Sequence, residues 1–171
     1  QERIKNGKEL FMHEMIYPVL QGVDSDIIAG IYGSCDLEIG GTDQTFNMLM
    51  GRDIMKINKK EQQSVMSLKL LEGTDGKEKM SKSLDNYIAI TDEPNDMYGK
   101  IMSLPDTSIV NYFNLCTYAP QDEIKTIENE IRKGKTNPKD IKMRLAREIV
   151  VIYHGEENAK KAEQNFIETF S

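Results

Sequence analysis

The sequence predicts an α/β fold: the later half of a Rossmann-like doubly wound parallel sheet, followed by an all-α helical bundle. Three observations lead there. Two short apolar stretches, at 35–39 and 65–71, bracket a glycine turn and a helical pattern, which is the strand–turn–helix–strand rhythm of parallel sheets. Beyond about Tyr87 only helical stripes follow, with no strand pattern among them. A hydrophobic content of 39% and a charged content of 29% belong to a globular protein, and 171 residues are enough for one ordinary domain or two small ones. The domains divide near residue 90, into 1–90 and 91–171.

Along the chain, Gln1 to Lys8 reads as helix surface entered midway. With a first residue other than Met, it suggests a piece of something longer. Met15 to Gly30 carries Ile16, Val19, Leu20, Val23, Ile27 and Ile28 at helical spacing, with Gly30 as the stop. Tyr17, Gln21 and Asp24, spaced four and three apart, share one face of that helix. Cys35 to Ile39 is strand-like and runs into Gly40-Gly41, after which Asp43 can cap a helix through Phe46, Leu49, Met50 and Ile54. Val65 to Leu71 is the second strand, closed by Glu72-Gly73-Thr74-Asp75-Gly76.

In the second half, Pro94 sits in the first turn of a helix ending at Met102, where its missing N–H costs nothing. Pro105-Asp106 opens a stretch through Ile109, Val110, Phe113 and Leu115. Ile124, Ile127 and Ile131 form the next stripe, ended by Lys133-Gly134-Lys135. Asn137-Pro138 caps a helix through Ile141, Leu145, Ile149 and Ile152 that stops at His154-Gly155. A last helix carries Ala159, Ala162, Phe166 and Phe170 on one face.

Charge and cysteine usage narrow the function classes. A net charge of −6 argues against a surface that is wholly a nucleic-acid clamp, though not against local basic patches. Cys35 and Cys116 have neither pairing nor metal spacing, which fits a reducing cytoplasm. No apolar run is long enough to span a bilayer and no signal-peptide pattern opens the chain, so neither membrane nor metal site is expected.

Three groups of residues can carry chemistry. Lys79-Met80-Ser81-Lys82-Ser83, behind a glycine-rich turn, offers two ammonium groups that can close on a polyphosphate, where charge builds on a departing pyrophosphate. The plain alternative is a solvated Lys/Ser loop. Ile39-Gly40-Gly41-Thr42-Asp43-Gln44 ends a strand in paired glycines, which admits a ligand close to the backbone at a helix N-terminus. Such a turn can equally be structural. Tyr17, Gln21 and Asp24 interrupt an apolar helix with phenol, amide and acid, a set able to hold an amino acid; alone it would read as solvated surface.

Together, Tyr17-Pro18-Val19-Leu20-Gln21-Gly22-Val23-Asp24, Gly40-Gly41-Thr42-Asp43-Gln44-Thr45-Phe46-Asn47 and Lys79 to Ser83 resemble bacterial tyrosyl-tRNA synthetases, class I aminoacyl-tRNA synthetases. The stretches Asp96 to Ser103, Ala146 to Val150 and His154 to Glu157 resemble them too, so the likeness spans nearly the whole chain in order. The resemblance implies that Tyr17 and Gln21 hold the amino group of tyrosine and that Asp24 accepts a hydrogen bond from its phenol. It implies that Gly41, Asp43 and Gln44 contact the adenylate and substrate backbone, and that Lys79, Lys82 and Ser83 serve ATP, which arrives with Mg2+. It also implies tRNA(Tyr) as partner, a cytoplasmic location, a homodimer, and 91–171 as the helical, anticodon-region domain.

Tryptophanyl-tRNA synthetases share the Tyr-Pro-Val-Leu helix, but their middle motif reads Val-Gly-x-Asp-Gln and they usually carry methionine at the position of Gln21. Gln21 and Gly40-Gly41-Thr42 decide for tyrosine. A buried acid awaiting a hydroxyl is left unpaired by phenylalanine, a discrimination for which the tyrosine enzymes are themselves the standard illustration. The family's His-Ile-Gly-His-type motif is not found here, since His13 and His154 lie outside any such context. The expectation is therefore a fragment, not fully active alone, that self-associates or needs its missing N-terminal half; Ile39, Val65 and Leu68 lie on the strands most affected. Two other classes compete: an RNA-binding or scaffolding module, and an adenylate-forming enzyme that does not charge tRNA. For the module, Arg132, Lys133, Lys135, Lys139, Lys142, Arg144 and Arg147 are accompanied in the helical half by acids such as Asp122, Glu123, Glu128 and Glu130, so a mixed-sign solvated surface is the expectation.

Overall fold

The computed structural model describes Gly7, Glu9 and residues 11–170. The helix surface expected over residues 1–8 lies, Gly7 apart, outside the described residues. The chain forms two compact units, one up to Leu70 and one from Leu71 onward.

In the first unit, helix α1 spans Met12–Tyr32. It is stopped by Gly33, in the left-handed region at φ 90°, whose N–H reaches the Ala29 carbonyl at 3.0 Å. Gly30 is therefore an interior residue: a helix tolerates glycine, but its end needs the left-handed turn. Strand β1 (Leu37–Gly41) pairs in parallel with β2 (Ser64–Leu68), from Leu37 opposite Ser64 to Gly41 opposite Leu68. Helix α2 (Thr45–Ile57) makes the crossover. Strand β2 ends at Leu68, short of the expected Leu71, because its partner ends at Gly41 and offers no further ladder groups. Asp43 does not cap α2. Thr42–Gln44 form a 3-10 turn and the helix starts at Thr45, which leaves Asp43 inside the turn.

The α1 stripe is not the buried face. Gly22, Ser25 and Ala29 are buried, whereas Ile16, Val19, Leu20, Val23, Ile27 and Ile28 are exposed. A Cβ on Gly22 would lie 2.9 Å from Ile54 Cδ1 and 3.0 Å from the Gly51 nitrogen, so α1 and α2 meet at backbone distance. The sheet is likewise covered on one side. Leu37, Ile39, Met66 and Leu68 share the other face and are all exposed, as expected for Ile39 and Leu68; Val65 faces the opposite way and is half-buried.

The second unit is helical: α3 (Pro94–Met102, with Pro94 in its first turn), α4 (Ile109–Cys116), α5 (Gln121–Lys133) and α6 (Pro138–Phe170). Gly134 closes α5 in the left-handed region at φ 62°, and Gly155, at φ 80°, interrupts α6. Asn137 caps α6, its Oδ1 accepting the Lys139 N–H at 3.0 Å. The core is continuous, with Tyr98, Ile101, Tyr112, Phe113, Leu145 and Val150 all fully buried. Burial pushes the phenols of Tyr98 and Tyr112 well up from their ordinary value, and each donates to a backbone carbonyl: Tyr98 to Met143 at 3.3 Å, Tyr112 to Glu72 at 2.6 Å.

Candidate functional site

Two groups of candidate residues take shape, one in each unit. In the first, β1 presents Glu38 toward α1 while Leu37 and Ile39 point the other way. The Glu38 carboxylate accepts from Gln21 Nε2 at 2.8 Å, from Ser25 Oγ at 3.3 Å and from Gln63 Nε2. Gln63 is fully buried, and its Oε1 accepts from the Cys35 thiol at 3.0 Å. Burial, then the charges of Glu38 and Asp36, raise the pKa of that thiol, so it stays protonated and can donate. Asn47, also buried, donates from Nδ2 to Gln21 Oε1 at 3.0 Å and to Gln44 Oε1 at 2.9 Å.

Donor and acceptor chemistry orients these amides. A carboxylate only accepts, so Glu38 takes the NH2 end of Gln21 and turns its oxygen toward Asn47. Asn47 in turn takes the oxygen of Gln44, which leaves the Gln44 NH2 as a donor to other groups. Gln21 and Gln44, 23 positions apart in sequence, are thus joined through one side chain. Tyr17 and Asp24 lie on α1 with Gln21, and both are exposed. At the end of β1, a Cβ on Gly41 would fall 2.6 Å from both Asp43 Oδ1 and Leu70 Cδ2, so a side chain there would have to displace both of those side-chain ends.

Sequence reasoning singled out Tyr17, Gln21, Asp24, Gly41, Asp43 and Gln44 but missed Glu38 and Gln63, and gave Asn47 no role beyond its motif. An acid inside a short apolar strand was the available signal for Glu38. Asn47, one helical turn beyond Gln44, was in reach of it by spacing alone.

The second group is the lysine loop, which belongs to the helical unit. Its base is an antiparallel pairing: Gly73 N–H to the Glu78 carbonyl at 2.8 Å, and Met80 N–H to the Leu71 carbonyl at 2.9 Å. Ser108 Oγ fastens the Glu72 carboxylate at 2.9 Å, while the Tyr112 hydroxyl holds its backbone. Asp75 Oδ1 accepts the N–H groups of Lys77 and Glu78 at 2.9 and 3.1 Å, and Oδ2 accepts from Asn86 Nδ2 at 2.9 Å. These bonds, the one from Lys77 first, hold its pKa below the ordinary aspartate value.

Lys79 and Lys82 are exposed, and the hydroxyls of Ser81 and Ser83 are 2.8 Å apart. Lys82 begins a 3-10 turn, Lys82–Leu84, that closes on Asp85 at φ 51°. An open groove of about 400 Å³ runs beside Ser81, Lys82, Tyr87 and Thr91, so there is room for a ligand along the loop. Charge elsewhere on the helical unit is largely self-neutralised. Arg144 pairs with Glu123 and Glu148, each at 2.8 Å, Arg147 with Glu156 at 2.6 Å, and Lys142 with Asp106 at 2.9 Å. That is the mixed-sign surface expected from the sequence. Among the described residues no helix is long and apolar enough to cross a membrane.

The whole chain, residues 1–171, matches the model of the class I tRNA synthetase family (W and Y). It is 47% identical to the tyrosine–tRNA ligase of Thermotoga maritima over 169 residues, 99% of this chain and 41% of that protein. It is 45% identical to the tyrosine–tRNA ligase of Haemophilus influenzae over 170 residues, with the same two coverages. The chain thus spans about two-fifths of the length of these curated relatives. Among solved structures, the tyrosyl-tRNA synthetase of Archaeoglobus fulgidus complexed with L-tyrosine superposes with a TM-score of 0.63 at 22% identity, over 91% of this chain and 53% of that one. The tryptophanyl-tRNA synthetase of Giardia lamblia gives 0.56 at 17%, over 79% and 39%. At such identities these likenesses establish the fold.

Proposed function

Because the chain belongs to the class I tRNA synthetase family of tryptophan and tyrosine enzymes, we propose that its function is tyrosine–tRNA ligation. The single observation that carries this reading is the 45–47% identity to tyrosine–tRNA ligases across 99% of the chain. The carboxylate of tyrosine attacks the α-phosphorus of ATP, which enters with Mg2+ as substrate. Pyrophosphate leaves, and a terminal ribose hydroxyl of tRNA(Tyr) then takes the tyrosyl group and releases AMP. No covalent intermediate on the protein is needed, so its residues position substrates and stabilise charge.

The roles divide between the two groups. Tyr17 and Gln21 offer oxygen acceptors to the substrate ammonium, and Asp24 accepts from the phenol. Gly41 admits the adenylate close to the backbone, and Asp43 and the NH2 of Gln44 bind its polar atoms. Lys79, Lys82 and Ser83 serve the phosphates, and residues 91–171 are the anticodon-region domain. The protein works in the cytoplasm as a homodimer. The pairing of Arg144, Arg147 and Lys142 with acids gives no support to a purely RNA-binding role.

Tyrosine-dependent exchange of pyrophosphate into ATP, measured on the longest chain that the gene encodes, tests the proposal; exchange driven by tryptophan instead would overturn it. In the same assay, Asp24→Ala should erode the preference for tyrosine over phenylalanine far more than it weakens ATP. Unchanged discrimination would remove Asp24 from the pocket. The exposed apolar surfaces of α1 and the sheet make self-association the expectation for this chain at micromolar concentration. A monomer in analytical ultracentrifugation would refute it.

A further inference from the structure

The lysine loop has a centre that is neither lysine. Asn86 is 5% exposed, and its side chain makes three hydrogen bonds. Oδ1 accepts the Ser81 N–H at 2.9 Å, while Nδ2 donates to Asp75 Oδ2 at 2.9 Å and to the Lys79 carbonyl at 3.3 Å. The Asn86 backbone carbonyl accepts the Thr74 N–H at 2.8 Å. Both amide hydrogens are therefore used, one of them on a carboxylate, which makes it the stronger kind of bond. The surroundings are shaped to admit this group. A Cβ on Gly73 would lie 2.2 Å from Asn86 Nδ2 and 2.3 Å from Cγ, so any side chain there would expel the carboxamide.

We propose that Asn86 is the positioning residue of the lysine loop: with Asp75 it forms a clasp that ties the glycine half of the loop to the lysine half and fixes where Lys79 and Lys82 present their ammonium groups. The clasp holds the backbone on either side of Met80, at the Lys79 carbonyl and the Ser81 N–H. Met80 itself packs against the helical core. Lys79 and Lys82 thus leave a backbone segment pinned at three points. An ammonium aimed at a departing pyrophosphate is effective only if its approach is set before the reaction. The inference rests on the reading that these lysines serve ATP.

Exchanging the partners tests it. Asn86→Asp puts a second carboxylate against Asp75 and the Lys79 carbonyl. Asp75→Asn with Asn86→Asp restores two of the three bonds: the new amide donates to the new carboxylate, which still accepts from Ser81 N–H, while the Lys79 carbonyl is left without its donor. The single variant should slow tyrosine-dependent pyrophosphate exchange about 10- to 100-fold, as expected for losing one or two such bonds, with the KM for tyrosine unchanged. The double variant should recover part of the rate, the shortfall measuring the bond to the Lys79 carbonyl. Should Asn86→Asp not fold, Asp75→Ala opens the clasp from its exposed end and should give the same rate loss in smaller measure.

Amide hydrogen exchange of Ser81 and Thr74, read by NMR on this chain, follows the clasp without any substrate. Protection should vanish in the single variant and return in the double. Unchanged protection overturns the clasp, and protection that falls and recovers while the rate stays constant overturns its positioning role. If the unaltered protein shows no tyrosine-dependent exchange at all, the assignment of function fails, while the amide measurement still judges the clasp.

Discussion

The two units use the same helical periodicity to opposite ends. From Leu71 onward the apolar stripes of α3, α4, α5 and α6 face one another and close a core around Tyr98, Tyr112, Phe113 and Leu145. Among the described residues up to Leu70, the buried apolar side chains are Ala29, Met48 and Met55, while the α1 stripe and one sheet face are exposed. Beside those few apolar side chains runs a polar chain, Gln44–Asn47–Gln21–Glu38–Gln63, next to the close approach of Gly22 to α2. The second unit is held by its own core; the first spends its interior on orienting amides and leaves its apolar surface for other contacts. A stripe of the right period shows that a helix will bury a face, not where the cover comes from.

The sharpest way to break this comparison is a matched pair of truncations. Phe113→Ala should cost the helical unit about 3–5 kcal/mol through a cavity in a closed core. Phe46→Ala, on an exposed ring, should cost less than about 0.5 kcal/mol. Urea unfolding of both variants measures the difference; similar losses would show that the first unit has a core after all.

The functional contrast should be nearly as large. Lys82→Ala should slow adenylate formation by about a hundredfold while leaving tyrosine affinity nearly intact, since a group acting on leaving pyrophosphate contributes little to amino-acid binding. Pre-steady-state pyrophosphate release and tyrosine titration separate the two. A large loss of tyrosine binding with normal chemistry would merge the roles assigned to the two units.

The smallest effect is acid release of the loop. The folded pKa of Asp75 lies below its unfolded value, so the stabilisation its carboxylate gives is complete above the ordinary value of about 3.9 and is lost as pH falls below it. Ser81 amide protection should therefore be constant near neutrality and decline in that acid range, ahead of amides in the core of α4. Protection that falls together with the core would mean that the loop has no separate latch.

Most of the helical unit was legible residue by residue. Pro94, Gly134, Asn137 and Gly155 stand where the sequence set them, because each acts through the sterics or hydrogen bonding of its own turn. The same reasoning stopped α1 at Gly30 instead of Gly33 and made Asp43 a cap, since neighbouring candidates of like chemistry differ only in the backbone angles they take up. The site motifs could be read because several unusual residue types recur at fixed spacing: Tyr17, Gln21 and Asp24 on one helix, and the two lysines of one loop.

What the tertiary structure alone decided is which of those side chains are joined and by what. Glu38 reaches Gln21 across 17 positions and Gln63 across 25, and Asn47 reaches Gln21 across 26. At those separations nothing local in the sequence constrains the pairing; the parallel register of β1 and β2 and the Gly22–Gly51 contact of α1 with α2 bring the groups together. Once buried there, each donor must find an acceptor, because an unpaired polar group away from water costs about as much as the bond it forgoes. The sequence determined the kinds of groups available, and the hydrogen-bond partners that Gln21, Glu38, Asn47 and Gln63 find only in the folded chain determined their orientation.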